Sequence, residues 1–165
     1  MNDTDFSEMP CEAKLAWLEE DVMPVIEGIS TETRIARKAM GMDPVDTLTL
    51  SNKQVDLAIL NARLGERVAK ANAIEREAKN IFETTRERHK VRLVQGYDLD
   101  GVKTKPVAAG VADSMKLDLV EAEFDLWNRA KFRAEQLKLL RESTSDTIGT
   151  IRTKISFEKA DLYNG

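Results

Sequence analysis

The sequence predicts an all-α chain: a long antiparallel helical hairpin with an N-terminal helical arm, assembling as a homo-oligomer. Three observations predict it. Glycine and proline are scarce, at 8 and 4 in 165 residues. Charged residues make up 33% and aromatics 5%, a balance that suits long helices with narrow apolar stripes rather than a thick core. No proline occurs between Pro44 and Pro106, across a stretch where apolar residues recur every three or four positions.

Residues 1–50 read as an acidic helical arm and 51–165 as the hairpin, with a loop at 96–113. In the arm, Pro10 suits a first helical turn, where its missing N–H is no loss. Leu15, Trp17, Leu18, Val22, Val25 and Ile26 follow at helical spacing. Pro24 is expected to kink or stop this helix, and Gly28 to break it. A short second helix then carries Ile35, Ala36 and Ala39, with Gly41 as its stop. Residues 42–50 read as an extended linker, because Pro44 biases Asp43 away from helix.

Ser51 and Gln54 form a capping-box pattern. From there Leu57, Leu60, Leu64, Arg67, Ala71, Ile74, Ala78 and Ile81 trace a heptad-like seam with one charged intruder. This helix is expected to reach Gln95 and end at Gly96. Asp113 or Ser114 is expected to cap the last helix. Met115, Leu126, Leu137 and Ile148 recur there every eleven residues, and Gly149 with the Ser143–Thr144–Ser145 cluster weakens its middle. Two such helices alone bury one seam and leave Val68, Phe82, Phe124, Trp127 and Phe132 wet. Exposed apolar area forfeits about 25 cal/mol per Å2. Oligomerisation through the last helix resolves this, using Leu119, Leu126, Trp127, Leu137, Leu140, Ile148, Ile151 and Ile155.

The net charge of -4 is unevenly spread. Residues 1–50 hold 11 acidic and 4 basic side chains, whereas 51–105 hold 8 and 12. Such asymmetry marks either a nucleic-acid surface or an autoinhibitory arm. Basic residues collect at Arg86, Arg88, Lys90 and Arg92, with Lys103 and Lys105 in the loop beyond. Cations in a last turn complement the helix dipole. They also suit a phosphate-binding collar, with Tyr97 placed to stack on a base.

No chemistry-bearing motif competes with that reading. His89 stands without a second histidine or a nearby cysteine, so zinc is not expected. Asp98-Leu99-Asp100-Gly101 has the start of a calcium loop, but Ala109 stands where the bidentate Glu belongs. The phosphate-binding, dinucleotide and nucleophile-elbow motifs are absent. Neither an enzyme nor a cofactor is expected. A single cysteine, Cys11, gives no disulfide framework and favours a reducing, cytoplasmic setting. No apolar run reaches the roughly 20 residues of a membrane span, and Met1 to Met9 are unlike a signal peptide.

The tract Lys90-Val91-Arg92-Leu93, ending a charged helix before a Tyr/Gly segment, resembles the basic tract of UvsY-type recombination mediators of tailed phages. The order of parts is also similar: helix, basic tract, variable loop, then a long helix with an aromatic such as Trp127 in its first half. The resemblance covers roughly residues 55–160. It implies a ring-like homo-oligomer in a host-cell cytoplasm that binds single-stranded DNA through Lys90 and Arg92. It also implies help in loading a RecA-like recombinase onto strands covered by a single-strand-binding protein. Two alternatives stand beside it. One is a helical structural or assembly protein without nucleic-acid binding. The other is a small inhibitor whose acidic arm mimics nucleic acid.

Overall fold

A computed structural model describes residues 3–98, 101–115 and 120–164, with side chains for 6–98, 101–115 and 120–161. The fold is all-α. Its helices are α1 (Asp3–Glu8), α2 (Cys11–Met40), α3 (Thr47–Gln95), α4 (Ala109–Met115) and α5 (Glu121–Asn164). The chain packs as two compact units. Unit 1 comprises Met1–Leu15 and Asn72–Arg133; unit 2 comprises Ala16–Ala71 and Ala134–Gly165. These units cut across a division at residue 50, because α2 and α5 each contribute to both.

In unit 2, α3 presents Leu50, Leu57, Leu64 and Ala71 at seven-residue spacing, each at most 1% exposed. That is the register that keeps one stripe on a partner. Against it α2 buries Leu18, Val22, Val25 and Ile29, and α5 buries Leu137, Thr144, Ile151 and Ile155. Both neighbours run antiparallel to α3. Asp21 pairs with Arg67 at 3.0 Å and Glu32 with Lys53, so rising numbers on α2 meet falling ones on α3. Asn61 donates to Ser145 at 2.9 Å, and Gly65 lies under the Arg141 guanidinium. Arg67, the charged intruder, is thus neutralised at the edge of the seam.

Several expected boundaries move. α2 is one helix of 30 residues through Pro24 and Gly28. Pro24 lies on the exposed face, where water can serve the carbonyl it leaves without a donor. Gly28 is a packing position: a Cβ there would meet the Leu60 methyls at 3.2–3.3 Å. α3 starts at Thr47, four residues before the expected capping box. Its cap is Asp46, whose Oδ1 accepts the Thr49 N–H at 2.9 Å while its carbonyl accepts Leu50 N–H. Ser51 lies inside the helix and donates back to the Thr47 carbonyl.

α5 also differs from expectation. It begins at Glu121, whereas Asp113 and Ser114 sit in α4. Met115 belongs to α4 and is 43% exposed, so the eleven-residue register fails. The buried register is seven, through Leu137, Thr144 and Ile151. Thr144 fills it because its hydroxyl is satisfied by the Leu140 carbonyl at 2.8 Å. Thr147, Thr150, Thr153 and Ser156 make the same backward bond, so the hydroxyl-rich middle stays helical.

Unit 1 is built differently. Cys11, Ile74, Ala78, Phe82, Ala112, Val120 and Ala130 are buried in it. Phe82 stacks on Trp127 at 5.4 Å and tilts against Phe124 at 5.5 Å. Such contacts add about 0.5–1.5 kcal/mol beyond area burial. Lys14 is buried and its ammonium grips both oxygens of Glu77, at 2.8 and 3.0 Å. The Cys11 thiol points to the Ile74 carbonyl at 3.7 Å. Burial, then the Glu77 charge, push that thiol above its ordinary pKa, against a smaller pull from Lys14.

Candidate nucleic-acid interface

α3 ends in a Schellman motif. Tyr97 N–H reaches back to the Arg92 carbonyl at 2.9 Å, and Gly96 N–H to Leu93 at 3.2 Å. Gly96 has φ +77°, and a Cβ there would lie 2.9 Å from the Thr104 carbonyl oxygen. Glycine is required on both counts.

The following segment folds back on this helix end. Tyr97 and Lys103 face each other as an antiparallel bridge. Asp98 N–H donates to Val102 at 2.9 Å, and the Asp98 carboxylate accepts Val102 N–H at 2.7 Å. Thr104 N–H donates to Gly96 and Val107 N–H to Leu93. The expected irregular loop is therefore a bonded return loop followed by α4. Leu99 and Asp100, part of the calcium-like stretch, lie outside the described residues.

The cations divide into two sets. Lys90 holds Asp113 of α4 through both carboxylate oxygens, at 3.0 and 3.1 Å. In the free chain this pair fastens α4 to α3. Arg92 is half-buried and partnered. Arg86 lies over the Phe82 ring at 5.6 Å and 3.5 Å from Glu87. Its Nε, like His89 Nδ1, is buried without a hydrogen bond. On α3, Arg86 and His89 continue the face of Phe82, and Arg86, Lys90 and Arg92 are half-buried.

Arg88, Lys103 and Lys105 form the second set. They are exposed and have no ion-pair partner among the described residues. Arg88 ends a broad open groove of about 620 Å3 along α3, lined also by Arg76, Asn80, Thr84 and Thr85. Arg76 was missed in the sequence because it lies ten residues upstream of the basic cluster. A spacing of four through Asn80 and Thr84 joins it to Arg88, and that polar ladder was the available signal. Tyr97 keeps 41% exposure beside Lys103; side chains at paired positions of a bridge stand about 5 Å apart.

The expected oligomer residues also divide. Leu137, Ile151 and Ile155 are buried inside the single chain, which removes them from any surface. Leu126, Trp127, Leu140 and Ile148 are half-buried. Leu119 lies outside the described residues. Val68 and Phe82, expected to be wet, are buried at 7% and 4%. Phe124 keeps 42% exposure, and Phe132, Leu139 and Phe157 on α5 face outward at 61%, 65% and 65%.

Among the described residues no group of three or more His, Cys, Asp or Glu is placed to hold a metal. No described helix is long and apolar enough to cross a membrane. Comparison with protein-family models, curated proteins and solved structures gives no significant match.

Proposed function

We propose that this protein is a non-enzymatic, single-stranded nucleic-acid-binding homo-oligomer, of the kind the UvsY-type mediators represent. The observation that carries the reading is the Tyr97–Lys103 bridge. It sets an exposed ring beside an unpaired cation, with Lys105 two residues further on. Bases stack on rings regardless of sequence, and phosphates pair with the flanking cations. Arg88 and Arg76, on the groove of α3, offer further contacts. The working set is therefore Arg76, Arg88, Tyr97, Lys103 and Lys105, with Lys90 in a positioning role.

Fluorescence anisotropy with labelled single-stranded DNA oligonucleotides tests this. Binding is expected to be nearly independent of base sequence. Tyr97→Ala should weaken it by about 1–3 kcal/mol, the usual worth of one stacked base. Absence of binding to any strand at low salt would sink the reading.

A second reading, assembly without nucleic acid, is favoured by the outward apolar residues of unit 2. Leu139 and Phe157 are five turns apart on α5, hence on one side of it. Leu48, Val55 and Ile59 face away from the buried seam of α3. Self-association through these residues is compatible with strand binding. Sedimentation of a Leu139→Lys, Phe157→Lys variant tests this surface: assembly should weaken while the helix content stays.

A further inference from the structure

Unit 2 contains a groove of about 420 Å3 between α2 and α5 that strand binding in unit 1 does not use. Its apolar floor is made by Ile26, Ile29 and Leu140. Arg34 and Arg37 stand on its α2 wall, three residues apart and so on one face of the helix. Both are exposed, neither has an ion-pair partner among the described residues, and no carboxylate lines the groove. In unit 2 most other inward-facing cations are matched: Arg67 has Asp21, and Lys53 lies between Glu32 and Asp56. Two unmatched guanidiniums over one groove are a departure from that pattern.

The hydroxyls of the groove sharpen its chemistry. Thr144 and Thr147 already donate their protons to the carbonyls of Leu140 and Ser143. Ser30, Thr33 and Ser143 donate no hydrogen bond among the described residues, so their O–H groups are available to an acceptor. The groove therefore offers two fixed positive charges, three available O–H donors and an apolar floor. A volume of this size falls within the range of small-molecule sites.

We infer that this groove binds a small phosphomonoester carrying a flat or aliphatic group, the nucleoside monophosphate class. A phosphomonoester carries about -1.5 to -2 charge at pH 7 and three acceptor oxygens, which match two guanidiniums and the hydroxyls. Guanidinium takes such oxygens in bidentate fashion. The non-phosphate part covers Ile26, Ile29 and Leu140, which gives the apolar floor an occupant.

The test is calorimetric titration of the full chain with adenosine monophosphate, inorganic phosphate and adenosine. Adenosine monophosphate should bind at least about tenfold more tightly than either fragment, since each supplies only one half of the match. Arg34→Gln with Arg37→Gln should weaken it by at least about tenfold, the scale of a lost charge-assisted hydrogen bond. Both residues are exposed, so circular dichroism should show an unchanged fold. Lys103→Ala with Lys105→Ala should leave this binding intact, which separates it from the strand site in unit 1. The inference is overturned by undetectable binding of adenosine monophosphate, by equal binding of inorganic phosphate, or by a double arginine variant that binds as the wild type does.

Discussion

The two units solve the same packing problem with different chemistry. Unit 2 closes on a stripe of leucine, isoleucine and valine, with Thr144 the one buried hydroxyl on α5 among the described residues. Unit 1 adds to its buried Leu15, Ile74 and Val120 a cluster of three aromatic rings and a Lys14–Glu77 pair whose ammonium is buried, and its α3 face turns polar at Arg86 and His89. Aliphatic burial is non-directional and gives stability. Polar groups in a seam give less of it and demand particular partners. The comparison teaches that the two ends of α3 carry different loads: one holds the fold, the other displays groups.

The largest expected effect lies in the aliphatic seam. Leu57→Ala should reduce stability by about 2–5 kcal/mol, read from the urea midpoint, because the site is fully buried between three helices. A loss under half a kcal/mol would mean that the seam is not packed as described. The corresponding break in unit 1 is Lys14→Ala. It leaves the Glu77 carboxylate without its cation, but that carboxylate is 38% exposed and water can reach it. A smaller loss, about 1–3 kcal/mol, is therefore expected. If Lys14→Ala proves as costly as Leu57→Ala, the contrast between the units fails.

Smaller effects sharpen the contrast. Cys11 is 5% exposed, and its thiol is held above its ordinary pKa by burial first and by Glu77 second. Little thiolate forms at neutral pH, so a disulfide reagent should react only as fast as unit 1 opens. Immediate reaction would place Cys11 at the surface. At the start of α3, Thr49 bonds lower the Asp46 carboxyl below its ordinary 3.8. A lowered carboxyl stabilises above its unfolded value and loses that contribution as pH falls through the folded one. The Thr49 amide resonance should therefore titrate with a midpoint below 3.8, and Asp46→Asn should abolish the shift.

How legible this was depends on the kind of signal. The helices of the α3–α5 pair followed from apolar spacing, and Gly96 from its place after a charged last turn. Gly28 and Pro24 misled because local propensity treats both as breakers. Their tolerance comes from the Leu60 methyls and an exposed face, which are tertiary facts. Thr144 was passed over as polar, though a backward bond to the Leu140 carbonyl satisfies its hydroxyl and lets it hold a core position. Of the basic cluster, its existence was legible and its division was not. Lys90 pairs with Asp113, 23 residues away, and nothing in the spacing of Arg86, Arg88, Lys90 and Arg92 announces that partner.

The central claim is that the exposed cations of the return loop meet phosphates. The direct measurement is the salt dependence of binding to a single-stranded oligonucleotide, for the wild type and for Lys103→Ala with Lys105→Ala. Each phosphate contact contributes a slope of about -0.7 in log affinity against log salt for single strands. Removing two contacts should weaken binding at low salt and flatten the slope by roughly 1.4, with helix content unchanged. The same slope and the same affinity in both proteins would contradict the account and leave the assembly reading in its place.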